Sequence, residues 1–140
     1  MIYLDTAALV KLVRREVASD ALVDWLNAHE DRLLVSSALA EVELPRALRR
    51  TEPDLLAAVP AVLARIAVYE IDDLVRTTAA AYPDGLIRTL DAIHLATADA
   101  VLGDDLTAFI TYDHRLLAAA KTLGLPTSSP GEDKLDIPLD

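Results

Sequence analysis

The chain has 140 residues, a size for one domain around one core, and its make-up of 53% hydrophobic and 4% aromatic residues favours aliphatic helices packed on a sheet over an aromatic-rich β-sandwich. It has no cysteine, which excludes disulfides and thiolate metal sites and leaves any bound metal to oxygen or imidazole ligands. Its net charge of −10 opposes nucleic-acid binding through the long-range field, an objection met in two ways: acids that gather a metal are neutralised once it binds, and the bases are clustered in sequence.

Met-Ile-Tyr-Leu-Asp carries no basic leader and its apolar run stops at Asp5, which predicts neither a signal peptide nor a membrane span, and a soluble, cytoplasmic protein. Ile2 to Leu4 is predicted as a strand, and Ala7, Leu9, Val10, Leu12 and Val13 fall at helical spacing over 6–15. Leu22, Val23 and Leu26 mark a second helix from Ser19 to about Glu30, capped by Ser19 or Asp20. A strand over 33–35 follows. Ser36 and Ser37 then offer caps to a helix carrying Leu39, Val42, Glu43, Arg46 and Leu48, in which Pro45 must sit near the first turns or bend the axis. Beyond Pro53 come a helix to about Arg65, a strand over 67–71 and a helix over 74–82, broken by Tyr82-Pro-Asp-Gly85.

Thr89 or Asp91 opens a helix that runs to about Leu102. Residues 109–112 form a fourth strand ended by Asp113, the helix over 116–123 closes on Gly124, and 126–128 is a short edge strand. Strands alternating with helices require parallel pairing, because each crossover returns the chain to the same end of the sheet. The predicted fold is therefore α/β: a three-layer α/β/α sandwich with a central parallel sheet of four to five strands, one domain over 1–130, and an acidic, loosely held tail over 131–140.

Asp5 and Asp113 each end a predicted strand and precede a helix, at the sheet edge where ligands of parallel sheets bind. Each is equally a good N-cap, a role that stabilises by about 1 kcal/mol and needs no function. Asp91 stands at a helix start, where the dipole favours a negative charge and capping is again the alternative. Glu43 lies inside a helix among apolar neighbours, and its alternative is a surface pair with Arg46 or Arg50. Carboxylates gathered at one edge repel one another unless a divalent cation sits among them, and oxygen-only ligands select Mg2+ or Mn2+. Such a cation positions and activates water for in-line attack on a phosphodiester.

Asp99 is two turns beyond Asp91, which places it on the surface or behind the acids. His94, on an apolar helix face, reads as a packed histidine. Lys11, Arg14, Arg15, Arg46, Arg49 and Arg50 either track a nucleic-acid backbone or form solvated faces, and half are assigned to the latter.

Met-Ile-Tyr-Leu-Asp5-Thr6, Ser-Ser-Ala-Leu-Ala-Glu-Val-Glu43-Leu-Pro-Arg-Ala-Leu-Arg-Arg, Leu-Asp91-Ala-Ile-His-Leu-Ala-Thr-Ala, Thr111-Tyr112-Asp113-His-Arg-Leu and Gly124-Leu-Pro follow one another in order. In this order the chain resembles, nearly end to end, a PIN domain, and looks like the VapC-type toxin of a toxin–antitoxin pair. The resemblance implies an Mg2+- or Mn2+-dependent ribonuclease with Asp5, Glu43, Asp91 and Asp113 as the acidic site. It further implies that Asp5, Asp91 and Asp113 hold the metal and that Thr6 and Thr111 support the acidic site through hydroxyl hydrogen bonds. Glu43 is chosen over Glu41, which faces another side of the helix, because Leu-Pro-Arg-Ala-Leu-Arg-Arg follows it as in the family. The resemblance also implies RNA as substrate, a homodimer, and a VapB-like antitoxin that blocks the acidic groove. Two rivals are a phosphatase using Asp5 as nucleophile, for which Asp5-Thr-Ala-Ala supplies neither a nearby second acid nor a partnering lysine, and a non-catalytic binding module that keeps the acids as caps.

Overall fold

The computed structural model describes residues 1–83, 85 and 87–132. The chain runs β1 (Ile2–Leu4), α1 (Thr6–Val13), α2 (Ser19–Ala28), β2 (Leu34–Ser37), α3 (Leu39–Thr51), a 3-10 segment (Pro53–Ala58), α4 (Val59–Leu63) and β3 (Ala67–Tyr69). It continues through α5 (Asp73–Ala81), α6 (Thr89–Ala96), a π-type turn (Thr97–Leu102), β4 (Ala108–Ile110), α7 (His114–Thr122) and β5 (Thr127–Ser128). The five strands form one sheet in the order β3-β2-β1-β4-β5, and all the pairs are parallel.

β1 explains how the layers form. Its three residues are fully buried because both faces of a central parallel strand are covered. Side chains alternate, so Ile2 and Leu4 join one core with Leu9, Leu22, Leu44 and Leu48 from α1, α2 and α3. Tyr3 points the other way and joins Leu95, Phe109 and Leu116 beside α6 and α7. Tyr3 stacks on Phe109, its register partner on β4, with ring centroids 5.2 Å apart. The expected three-layer sandwich is present.

The predicted boundaries move at several points for local reasons. α2 starts at Ser19, yet its N-cap is Ala18 without a side-chain bond, because the Ser19 hydroxyl instead accepts from Glu16 N at 2.8 Å. Ser36 lies in β2 and donates to Leu4 O, leaving Ser37 Oγ to accept from Leu39 N at 3.1 Å. Pro45 lies inside α3, past its first turn, and the helix continues through it to Thr51. The predicted helix to Arg65 is split, because 3-10 geometry persists from Pro53 until Val59. α5 ends at Ala81, and of the break expected over 82–85, Asp84 lies outside the described residues. Of the expected tail over 131–140, residues 133–140 likewise lie outside them.

The end of the described chain is tied down. Ser129 Oγ donates to Thr111 O at 2.6 Å and Tyr112 OH donates to Pro130 O at 2.8 Å. Gly131, at φ +94°, passes so close to α2 that a Cβ there would meet Ala21 Cβ at 3.0 Å, which only glycine avoids.

Candidate active site

β1 and β4 are neighbours whose crossovers leave in opposite directions, and the crevice beyond the carboxyl ends of such a pair is where open parallel sheets bind ligands. Asp5 follows β1 and Asp113 stands three residues beyond β4, so both reach this crevice. α3 brings Glu43 from one flanking layer and α6 brings Asp91 from the other.

Asp5 is 4% exposed. Its Oδ1 accepts from Ala8 N at 2.9 Å and its Oδ2 from the Thr111 hydroxyl at 2.6 Å. Burial raises its pKa, an effect that His94, Thr111 and Ala8 N oppose and that the charge of Asp113 reinforces. Asp91 is half-buried and its pKa is also raised, first by desolvation and then by Asp113, with Asp5 and Glu43 adding to the push. Asp113 is exposed, and its Oδ1 accepts from Arg115 N at 2.9 Å and Leu116 N at 3.1 Å. The four carboxylates thus share one electrostatic site. Among the described residues no Lys or Arg forms an ion pair with Asp5, Asp91 or Asp113.

The capping alternatives resolve individually. Asp5 and Asp113 are the N-caps of α1 and α7, so each stabilises a helix while serving the cluster. Asp91 is not a cap: Arg88 holds that position without a side-chain bond, and Asp91 sits in the first turn. Glu43 makes no ion pair with Arg46 or Arg50 among the described residues; its partners are Thr6 and His94. Glu41 is exposed. Asp99 Oδ2 accepts from Tyr82 OH at 2.8 Å, which ties the π-type turn to the end of α5.

Thr111 donates to Asp5 Oδ2 and Thr6 donates to Glu43 Oε1, each at 2.6 Å, so each hydroxyl meets one of the four acids. His94, a packed histidine by its place on an apolar helix face, also reaches the acids. It is 2% exposed, and its Nε2 lies 2.8 Å from Glu43 Oε1 and 3.1 Å from Thr6 Oγ1, while its Nδ1 lies 2.6 Å from Tyr3 OH. Burial opposes the Glu43 charge, but the hydrogen bonds from His94 and Thr6 outweigh it and lower the pKa. The available signal was spacing: His94 follows Asp91 by three residues and so shares its helix face.

A groove of about 650 Å³ opens beside Glu43 between α1 and α3. Lys11, Arg14, Arg46 and Arg50 line it, whereas Arg15 and Arg49 do not. Arg15 is 80% exposed and pairs with Asp20 at 2.7 Å. Lys11 and Arg14 both bind Glu16, at 2.7 and 2.8 Å, while Arg46 and Arg50 form no ion pair among the described residues. Val42 and Leu90, 58% and 47% exposed, add an apolar edge.

A family model described as PIN domain matches residues 2–122. Ribonuclease VapC35 of Mycobacterium tuberculosis is 55% identical over 133 residues, covering 94% of this chain and 98% of that protein. Ribonuclease VapC46 of the same organism is 45% identical over 129 residues, covering 92% and 97%. Among solved structures, M. tuberculosis VapC20, a sarcin–ricin loop cleaving toxin, superposes with a TM-score of 0.71 at 17% identity over 93% of this chain and 100% of that one. VapBC from Salmonella typhimurium bound to DNA gives a TM-score of 0.72 at 16% identity over 91% of this chain and 96% of that one.

Proposed function

Because this chain belongs to the PIN-domain family, we propose that it is a metal-dependent endoribonuclease, the toxin of a toxin–antitoxin pair, restrained by a VapB-like antitoxin. The observation that carries this is the set of carboxylates at the β1/β4 crevice, two of them with raised pKa values and three of them without a basic partner among the described residues. Ribonuclease is the name borne by relatives that align over nearly all of this chain.

The donor set fits a hard divalent cation. All four acids offer oxygen, and uncompensated negative charge is what Mg2+ or Mn2+ relieves. Among the described residues no three His, Cys, Asp or Glu side chains are gathered tightly enough to enclose an ion. Asp5, Asp91 and Asp113 would hold the cation, and when bound it would neutralise charge developing on the phosphodiester and its leaving oxygen.

The chain's own groups supply the rest. Ala8 N and Thr111 fix both oxygens of Asp5. Glu43, kept ionised by Thr6 and His94, accepts a proton from the attacking water as its oxygen bonds to phosphorus and the opposite P–O bond breaks. The leaving oxygen then takes a proton from solvent. Arg46 and Arg50 are placed to meet phosphates, a local answer to the net charge of −10. The apolar edge of Val42 and Leu90 gives an antitoxin segment a surface to cover.

Among the described residues no helix is long and apolar enough to cross a membrane. A homodimer working in the cytoplasm is part of the proposal. The test is cleavage of a mixed structured RNA by purified protein in Mg2+ or Mn2+, beside Asp5→Asn and EDTA. Cutting that both controls abolish supports the proposal. Equal behaviour of wild type and Asp5→Asn, both folded, assigns the acids to structure and the chain to a binding role.

A further inference from the structure

Resting on that assignment of Glu43, we propose that the buried pair Tyr3–His94 is a positioning device that fixes which oxygen of Glu43 faces the substrate. Both protein hydrogen bonds to this carboxylate fall on Oε1: the Thr6 hydroxyl at 2.6 Å and His94 Nε2 at 2.8 Å. Among the described residues Oε2 accepts none, and Glu43 lines the groove. One oxygen is pinned to the protein and the other is offered to solvent.

The pinning requires a particular form of His94. A neutral imidazole donates from one nitrogen and accepts at the other, so the partner of one nitrogen sets the role of its opposite. Tyr3 OH lies 2.6 Å from Nδ1. A tyrosine phenol carries its proton at neutral pH and is free to donate it. At the other end of the ring, Glu43 is a carboxylate that only accepts, so Nε2, 2.8 Å from its Oε1, must carry a hydrogen. Nδ1 therefore accepts, Nε2 carries the ring hydrogen, and that hydrogen points at Glu43 Oε1.

Tyr3 itself cannot swing away. It is fully buried in the central strand, stacked on Phe109, and meets the His94 ring edge-on with centroids 5.8 Å apart. A strand residue on one side of the sheet, a helix residue in the covering layer and a glutamate from the opposite layer thus form a rigid line. The same arrangement would cost a Leu–Leu contact nothing in packing. What a tyrosine and a histidine add is direction.

Two measurements decide it. In metal-free protein labelled with 15N-histidine, His94 is expected to show an unprotonated Nδ1 and a protonated Nε2, and Tyr3→Phe, which keeps the stack but removes the donor, is expected to blur that assignment. In RNA cleavage, His94→Leu should lower kcat about 10–100-fold with KM and Mn2+ affinity, read by Mn2+ resonance without RNA, within about 2-fold. His94→Gln, whose amide reaches the place of Nε2, should recover most of the rate; His94→Asn, whose amide reaches only the place of Nδ1, should not. A protonated Nδ1, a His94→Leu protein with undiminished kcat, or equal loss in the Gln and Asn variants overturns the proposal. If the wild type cuts no RNA, the ribonuclease assignment falls while the nitrogen spectrum still decides the pair.

Discussion

The Thr111 hydroxyl donates to Asp5 Oδ2 at 2.6 Å, joining the ends of two adjacent strands whose side chains are 106 positions apart in the chain. Asp5 is the most buried of the four acids, so its orientation depends on this bond and on Ala8 N. Thr111→Val keeps the shape and removes the donor. It is expected to destabilise the fold by about 1–3 kcal/mol, the cost of an unpaired buried polar atom, and to lower cleavage about tenfold. Thr111→Ser should restore both in denaturant titration and kinetics; a Val variant with undiminished stability and cleavage would show that the hydroxyl bond does not matter.

Asp91 stands among negative charges without capping a helix, so its ionised form costs the apoprotein stability. Asp91→Asn is expected to raise the melting temperature in EDTA by about 2 °C, equivalent to roughly 0.5 kcal/mol after allowing for its partial exposure. The same variant should lose RNA cleavage and most of the stabilisation that Mg2+ gives wild type. Scanning calorimetry in EDTA and in Mg2+ checks both halves, and a lower melting temperature in EDTA would falsify the repulsion account.

The pH dependence follows by sign. Asp5 and Asp91 have raised pKa values, so between the ordinary carboxylate value and the raised ones the folded state binds more protons than the unfolded. Their contribution to stability therefore falls as pH rises through that window. Glu43 is lowered, so its contribution is present above the ordinary value and is lost as pH falls through the lowered one. In EDTA, Asp5→Asn/Asp91→Asn is expected to gain stability relative to wild type as pH rises through the acid window, and Glu43→Gln to lose it. Saturating Mg2+ should shrink the first difference, as urea melts across pH would reveal.

The groove separates the arginines of one helix. Arg46 and Arg50 line it and Arg49 does not. Arg46→Ala and Arg50→Ala are each expected to raise KM for RNA about 3–10-fold and to reduce the salt dependence of binding, with kcat little changed. Arg49→Ala should stay within about 2-fold. Equal effects at all three positions would mean that a diffuse field, not the groove, binds the substrate.

Asp99 serves Tyr82 rather than the crevice. Asp99→Ala is expected to cost about 1 kcal/mol of stability, the net worth of one hydrogen bond, and to leave kcat within about 2-fold. A loss of cleavage comparable to that of Asp91→Asn would place it in the site after all.

Asp5 and Asp113 were legible because an acid that ends a short apolar run in an alternating chain must lie at one sheet edge, and local pattern alone supplies that. The role of His94 was not. Which acid Thr6 meets was not legible either, because the orientation of α1 against α3 decides that its hydroxyl reaches Glu43. His94 looked like a core residue, and it is one by burial. Its partner Tyr3 is 91 positions away, and the contact exists only because Tyr3 alternates onto the face that α6 covers. Such pairings depend on the register of β1 and on helix placement, which periodicity does not encode.

Ser129 donates to the Thr111 carbonyl at 2.6 Å, and the Thr111 side chain in turn holds Asp5. Two hydrogen bonds therefore separate the last described turn of the chain from its most buried acid. A protease that trimmed the chain back past Ser129 would remove none of the four crevice acids and leave the sheet's central strands paired, yet it would release the residue that aims Asp5. Trimmed protein would keep its mass of core and its circular dichroism while losing rate, a form of inactivation that leaves the fold standing.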